Sequence, residues 1–155
     1  MTATKGFTGK GTVLSIGSGG TGEQFTAIVQ VKTFQFSGQK WSFDDATNAG
    51  SPAVGVGVLK ESIPSTMDAG DMAIAGIFLP SDPGQLALAT AFNAGTLTDF
   101  KLQVGLGPGQ TVVGNLYTFS GYLQELPAPN IQFDKIIDFK ASIKLNTVIT
   151  VTQGS

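Results

Sequence analysis

Apolar and polar residues alternate with period two along several stretches of the chain, and that alternation predicts strands. In residues 25–36, Phe25, Ala27, Val29 and Val31 share one phase, with Gln30 and Lys32 on the other. At Phe34 and Phe36 the apolar phase shifts. A bulge, a strand whose far end meets a second partner, and a seam between subunits each account for the shift. Residues 12–16 read as a short strand before the turn-rich GSGGTG of 17–22. Residues 71–79 read as a strand with apolar residues on both faces. In 100–106, Phe100, Leu102, Val104 and Leu106 oppose Lys101 and Gln103. In 116–126, Tyr117, Phe119 and Leu123 alternate with polar neighbours. The clearest half-exposed strand is 133–145, where Ile137, Phe139, Ala141, Ile143 and Leu145 oppose Asp138, Lys140, Ser142 and Lys144.

One segment carries helix signals instead. Asp82 suits the N-cap, Pro83 the first helical position and Gln85 the capping-box position, and Gly95 supplies a stop. Between them LALATAFNA is rich in strong helix formers and puts Leu88, Ala91 and Phe92 on one face. Six to eight strands with a single helix predict a mainly β fold, a β-sandwich or partly closed barrel flanked by one α-helix. Three parts are expected: a flexible N-terminal arm (1–11), a β domain (12–151) containing a long loose segment (37–70), and a short C-terminal tail (152–155). In the loose segment Trp41 and Phe43 stand alone, and Val54, Val56 and Val58 alternate with glycine. So long a segment implies an irregular hairpin or order gained only against a partner. Trp41 there fits an anchor at a subunit contact better than a ligand platform.

Composition removes most chemistry. The 155 residues include no histidine and no cysteine. That excludes a Ser-His-Asp triad, imidazole and thiolate metal sites, and disulfides. GSGGTG at 17–22 lacks the Lys-Ser/Thr pair of a phosphate-binding loop and precedes no helix signal. Asp44 and Asp45, or Asp68 and Asp71, lack calcium-loop spacing and read as solvated carboxylates. Ser51, Ser62 and Ser120 have no companion motif for a serine–lysine mechanism. No catalytic, cofactor or metal residue is therefore assigned. Nine lysines and no arginine against eleven carboxylates give a formal charge of -2, unlike the basic face of a duplex-DNA binder. Lys32, Lys101, Lys140 and Lys144 read as solubilising residues on strand faces. With no apolar run near 18 residues or so, no membrane span is expected, and the product is expected to be soluble or assembled from the cytoplasm into a particle.

Taken together, IFLPSDPGQLALATAFNAGTLTDFKL (77–102), LYTFSGYLQEL (116–126) and IDFKASIKLNTVITV (137–151) resemble the major tail tube proteins of long-tailed, non-contractile (siphovirus-type) phages. The resemblance lies in the order and spacing of these motifs. It implies a subunit of stacked hexameric rings forming a tail tube in the virion, a conduit for DNA delivery. Implied partners are further copies of the chain, a tape-measure protein, a tail terminator and tail-tip proteins, with DNA passing unbound. Residues 41–67 would be the inter-ring loop, making Trp41, Phe43, Val54, Val56, Val58 and Met67 assembly contacts, with the helix on the outer side. The inner tube of a contractile tail or secretion-type tube shares this architecture. A carbohydrate- or receptor-binding β-module is a further alternative, with Trp41 or the pair Tyr117 and Tyr122 as its platform.

Overall fold

The structure, a computed structural model, describes residues 8–155. Most of the expected N-terminal arm, residues 1–7, lies outside the described residues. In chain order the elements are β1 (Val13–Gly17), β2 (Phe25–Ile28), β3 (Val31–Ser37), β4 (Lys40–Asp45), β5 (Ala53–Val54), β6 (Gly57–Val58), β7 (Ser62–Asp68) and β8 (Asp71–Ile77). There follow α1 (Pro83–Ala94), β9 (Thr98–Gln103), β10 (Leu116–Leu123), β11 (Pro129–Asn130), β12 (Asp138–Leu145) and β13 (Thr150–Thr152). No described helix is long and apolar enough to cross a membrane.

The main sheet runs β2-β1-β9-β10-β12-β8-β3, with every pairing antiparallel. β10 belongs to two layers. Leu116 to Gly121 pair with β9, whereas Gly121 to Leu123 pair with β12. The sheet thus folds over itself at β10, and Phe36 of β3 meets Phe119 of β10 edge-on at 5.4 Å. The period-two faces supply the core between the layers. Leu14, Ile16, Phe100, Leu102 and Phe119 come from one layer, and Met72, Ile74, Phe139, Ala141, Ile143 and Leu145 from the other. Full burial of each large member contributes about 1.5–3 kcal/mol. Helix α1 packs against β1, β2 and β10 and inserts a fully buried Leu88. The result is a mainly β sandwich with one flanking helix.

Several strand expectations are corrected. Residues 25–36 form two strands, broken at Gln30, whose φ of 60° is left-handed. The apolar phase shifts because β2 pairs with β1 and β3 with β8, and a bulge follows between Val31 and Thr33. β8 carries apolar residues on both faces, one buried (Met72, Ile74) and one half-open (Ala73, Ala75, Ile77), and it ends at Ile77 rather than 79. β9 starts at Thr98 and stops at Gln103, leaving Leu106 exposed in a loop. β12 starts at Asp138, not 133. Residues 131–137 form an exposed loop because they extend past the end of β8, whose Ile77 already pairs with Asp138. The tail forms β13, paired with the start of β10.

Candidate assembly interface

Residues 40–68 form a two-stranded arm outside the sandwich. Among the described residues β4 and β7 pair only with each other, and every residue of both is exposed. Register places Trp41 opposite Met67 and Phe43 opposite Pro64, so these side chains share one face of the ribbon. Lys40 opposite Asp68 and Ser42 opposite Thr66 occupy the other face. A register shift between Ser42 and Phe43 interrupts the β7 side of the pattern. Trp41 is 51% exposed and Phe43 60% exposed. An isolated two-stranded hairpin is marginal in water, so an apolar face left open on one is a surface awaiting cover.

At the far end β5 and β6 make a smaller hairpin that carries Val54, Val56 and Val58, with Val56 fully exposed at its turn. A polar network braces this tip from behind. Ser51 Oγ donates to Glu61 Oε2 at 2.6 Å, Asn48 N donates to Ser51 Oγ at 2.9 Å, and Glu61 N donates to Thr47 Oγ1 at 2.8 Å. The Thr47 hydroxyl and then its N–H hold the Asp45 carboxyl below its usual value. Ser51 is therefore a buried hydroxyl whose proton is committed to Glu61 and whose oxygen caps the Asn48 N–H, a bracing role within the tip.

The root of the arm is held to the sandwich by charge. Lys144 Nζ on β12 lies 3.1 Å from Asp68 Oδ1 at the end of β7 and 3.3 Å from Asp71 Oδ1 at the start of β8. The Gly70 N–H, donating to Asp68 Oδ1 at 2.8 Å, and then Lys144 lower the Asp68 pKa, while Asp68 and then Asp71 raise that of Lys144. Between them Gly70 has a φ of +79°, and a Cβ there would sit 2.1 Å from the Ser37 carbonyl oxygen. Glycine is required at this bend.

The helix terminus positions the opposite end of the sandwich. Asp82 is the N-cap, and its Oδ2 accepts from Gln85 N at 3.0 Å and from Val29 N at 3.3 Å. Pro83 stands in the first turn, and Gly95, with a φ of 63°, returns its N–H to Ala91 and Phe92. Gln85 does not close a capping box. Its Oε1 accepts from Leu79 N and its Nε2 donates to Ile77 O and Val29 O, joining helix, β8 and the β2–β3 corner.

The remaining candidates stay apart. The 17–22 segment is a turn braced by Glu23, which accepts from Gly19 N at 3.0 Å. Lys101 sits 4.0 Å from the Phe25 ring centroid, and Ser120 donates to Asp99. No group of three or more metal-ligating side chains occurs among the described residues. Tyr117 is half-buried against Phe36, while Tyr122 is exposed on the opposite face, so the two form no shared platform. Sequence reasoning missed Ile131, Phe133 and Ile136, which are 70%, 107% and 71% exposed on the loop before β12. Their signal was hidden because Ile137 continues into the true strand alternation.

No protein-family model matches the sequence, and no curated protein matches it. Solved structures do. One chain of the tail of an empty gene transfer agent particle, refined helically with C6 symmetry, superposes with a TM-score of 0.69 at 16% identity, over 95% of this chain and 99% of that one. A chain of the anti-feeding prophage cap, which terminates its tube, gives 0.69 at 10% identity over 99% and 95%. A chain from the sheath/tube terminator of an extracellular contractile injection system gives 0.68 at 8% identity over 97% and 99%. Because the matches span contractile systems and a tail particle alike, they do not single out siphovirus-type phages. What they show is the fold: a mainly β sandwich with one flanking helix, of the kind found in phage-like tails and injection-system tubes.

Proposed function

We propose that this chain is a non-enzymatic structural subunit that polymerises as stacked hexameric rings into a phage tail tube and serves as a conduit for DNA. The observation that carries this reading is the exposed amphipathic arm, whose apolar face has no cover among the described residues. Trp41, Phe43, Val54, Val56, Val58 and Met67 are then inter-ring contacts.

Lateral closure has a separate basis. Among the described residues the layer β10-β12-β8-β3 ends at β3, which pairs only with β8, and at β10, where no strand pairs beyond Gly121 on the side away from β12. β3 and β10 run antiparallel, so β3 of one copy can extend the layer onto β10 of the next with main-chain hydrogen bonds. Six such junctions close a barrel without free edges. Its lumen is lined by the outer face of this layer, with Ala73, Ala75, Lys140, Ser142 and Lys144. Lys144 is already engaged by two carboxylates, which limits its grip on phosphate.

A tape-measure protein inside the tube, a terminator above it and tip proteins below it are the partners of this role in the virion. The inner tube of a contractile tail is the second reading, favoured by the likeness to contractile injection structures. Negative-stain imaging of the purified protein at rising concentration tests the proposal. Long hollow fibres of six-fold rings are expected; a protein that stays monomeric under all conditions would refute it.

A further inference from the structure

Resting on the tube reading, we infer that the loop 131–137 of one copy is the receptor for the arm of a copy in the adjacent ring. A stack that propagates needs two different patches, one at each end of the subunit, because heterologous contacts repeat head to tail. The arm leaves the sandwich at Asp71, the first residue of β8. The loop meets it at the other end of the same strand, where Ile77 pairs with Asp138. A seven-residue strand puts the two attachment points about 20 Å apart.

Both ends carry apolar residues that nothing among the described residues covers. Trp41, Phe43 and Met67 present the arm's apolar face. At the other end Ile131, Phe133 and Ile136 protrude, and Phe133 is as exposed as a side chain in an open peptide. A protruding phenylalanine has no role in the core of its own subunit. Beside the loop lies an open hollow lined by Lys32, Thr33, Ala75, Ile77 and Ile136, about 240 Å³ in volume.

Charge distinguishes the two ends as well. The arm holds four carboxylates, Asp44, Asp45, Glu61 and Asp68, against two lysines, Lys40 and Lys60. The receiving end holds Lys32 and Lys135 against Asp134 and Asp138, with no acidic excess. An acidic, aromatic ribbon can seat on a charge-balanced, apolar loop without like-charge repulsion, and the two match in surface type. Two acidic arms would repel each other, which favours arm-to-loop contact and gives the stack a direction.

Trp41 is the chain's one tryptophan and lies on the arm, so its emission reports cover of the arm directly. The test uses three proteins: the wild type, a variant with residues 41–67 replaced by a glycine–serine linker, and an Ile131→Asp/Phe133→Asp double variant. Wild type is expected to show a blue shift of emission that grows with concentration as tubes form. The double variant should keep exposed-tryptophan emission and form no tubes. Adding the arm-deleted protein, whose loop is intact, should restore the blue shift and yield short capped stacks. Two results would overturn the inference: tubes and a normal shift from the double variant alone, or no shift when the arm-deleted protein is added. Failure of the wild type itself to polymerise would sink the tube reading first, and is visible separately.

Discussion

The side-chain amide of Gln85 donates to the main-chain carbonyl of Val29 at 3.3 Å, joining the first turn of the helix to a strand end 56 residues earlier. The same nitrogen donates to Ile77 O at 3.0 Å, and the oxygen accepts from Leu79 N. Val29 sits where the chain leaves one layer for the other, next to the left-handed Gln30. One buried amide therefore satisfies three main-chain groups at the corner where ladder hydrogen bonds cannot continue.

Gln85→Leu keeps the volume but strands two carbonyls and one N–H. We expect a loss of about 2–4 kcal/mol, read as a lower urea midpoint with unchanged slope. Asp82→Ala, which removes the cap on Gln85 N and Val29 N, should cost about 1–2 kcal/mol in the same assay.

Core and arm aromatics should separate cleanly. Phe100 is 1% exposed and stacks on Phe119 with centroids 5.6 Å apart, so Phe100→Ala should cost about 3–5 kcal/mol. Phe43→Ser, on the open arm, should change monomer stability by no more than about 0.5 kcal/mol while abolishing fibres. Equal damage to stability by both substitutions would contradict the interface assignment.

The Lys144 clamp should impose a pH window on the arm root. The Asp68 pKa is depressed, so its contribution is present above the ordinary carboxylate value of 3.8 and fades as pH falls through the lower folded value. The Lys144 pKa is raised, so its contribution is complete below 10.5 and fades as pH rises past the folded value. Asp68→Asn should speed proteolysis within residues 40–68 and weaken its salt dependence, leaving global unfolding nearly unmoved, because the ion pair is exposed.

Gly70→Ala should misplace the arm. The added Cβ meets the Ser37 carbonyl at 2.1 Å on a left-handed residue. Fibre formation should fail and the monomer should lose about 1–3 kcal/mol, seen in the unfolding midpoint.

Legibility followed the range of the forces involved. The helix and its stop could be read because Asp82, Pro83 and Gly95 act on groups within a turn of themselves. The alternation of Phe139, Ala141, Ile143 and Leu145 could be read because one face of β12 is buried along its length. The arm stayed illegible since both of its faces are exposed and the bulge near Ser42 breaks its period. Gln85 was visible as a helix-start residue, but its partners lie in two distant segments.

By itself the sequence determined a mainly β chain with one capped helix, and a residue set without the imidazole and thiol groups of common catalytic sites. Local patterns and composition suffice for those, because each depends on neighbours along the chain or on residue types alone. Tertiary structure decided that 25–36 bends from one layer to the other and that 131–137 leaves the ladder. It also decided that Trp41 and Met67 share a face and that Asp68 meets Lys144. These depend on which strands pair and where each partner ends, and pairing is settled by contacts between residues far apart in the chain.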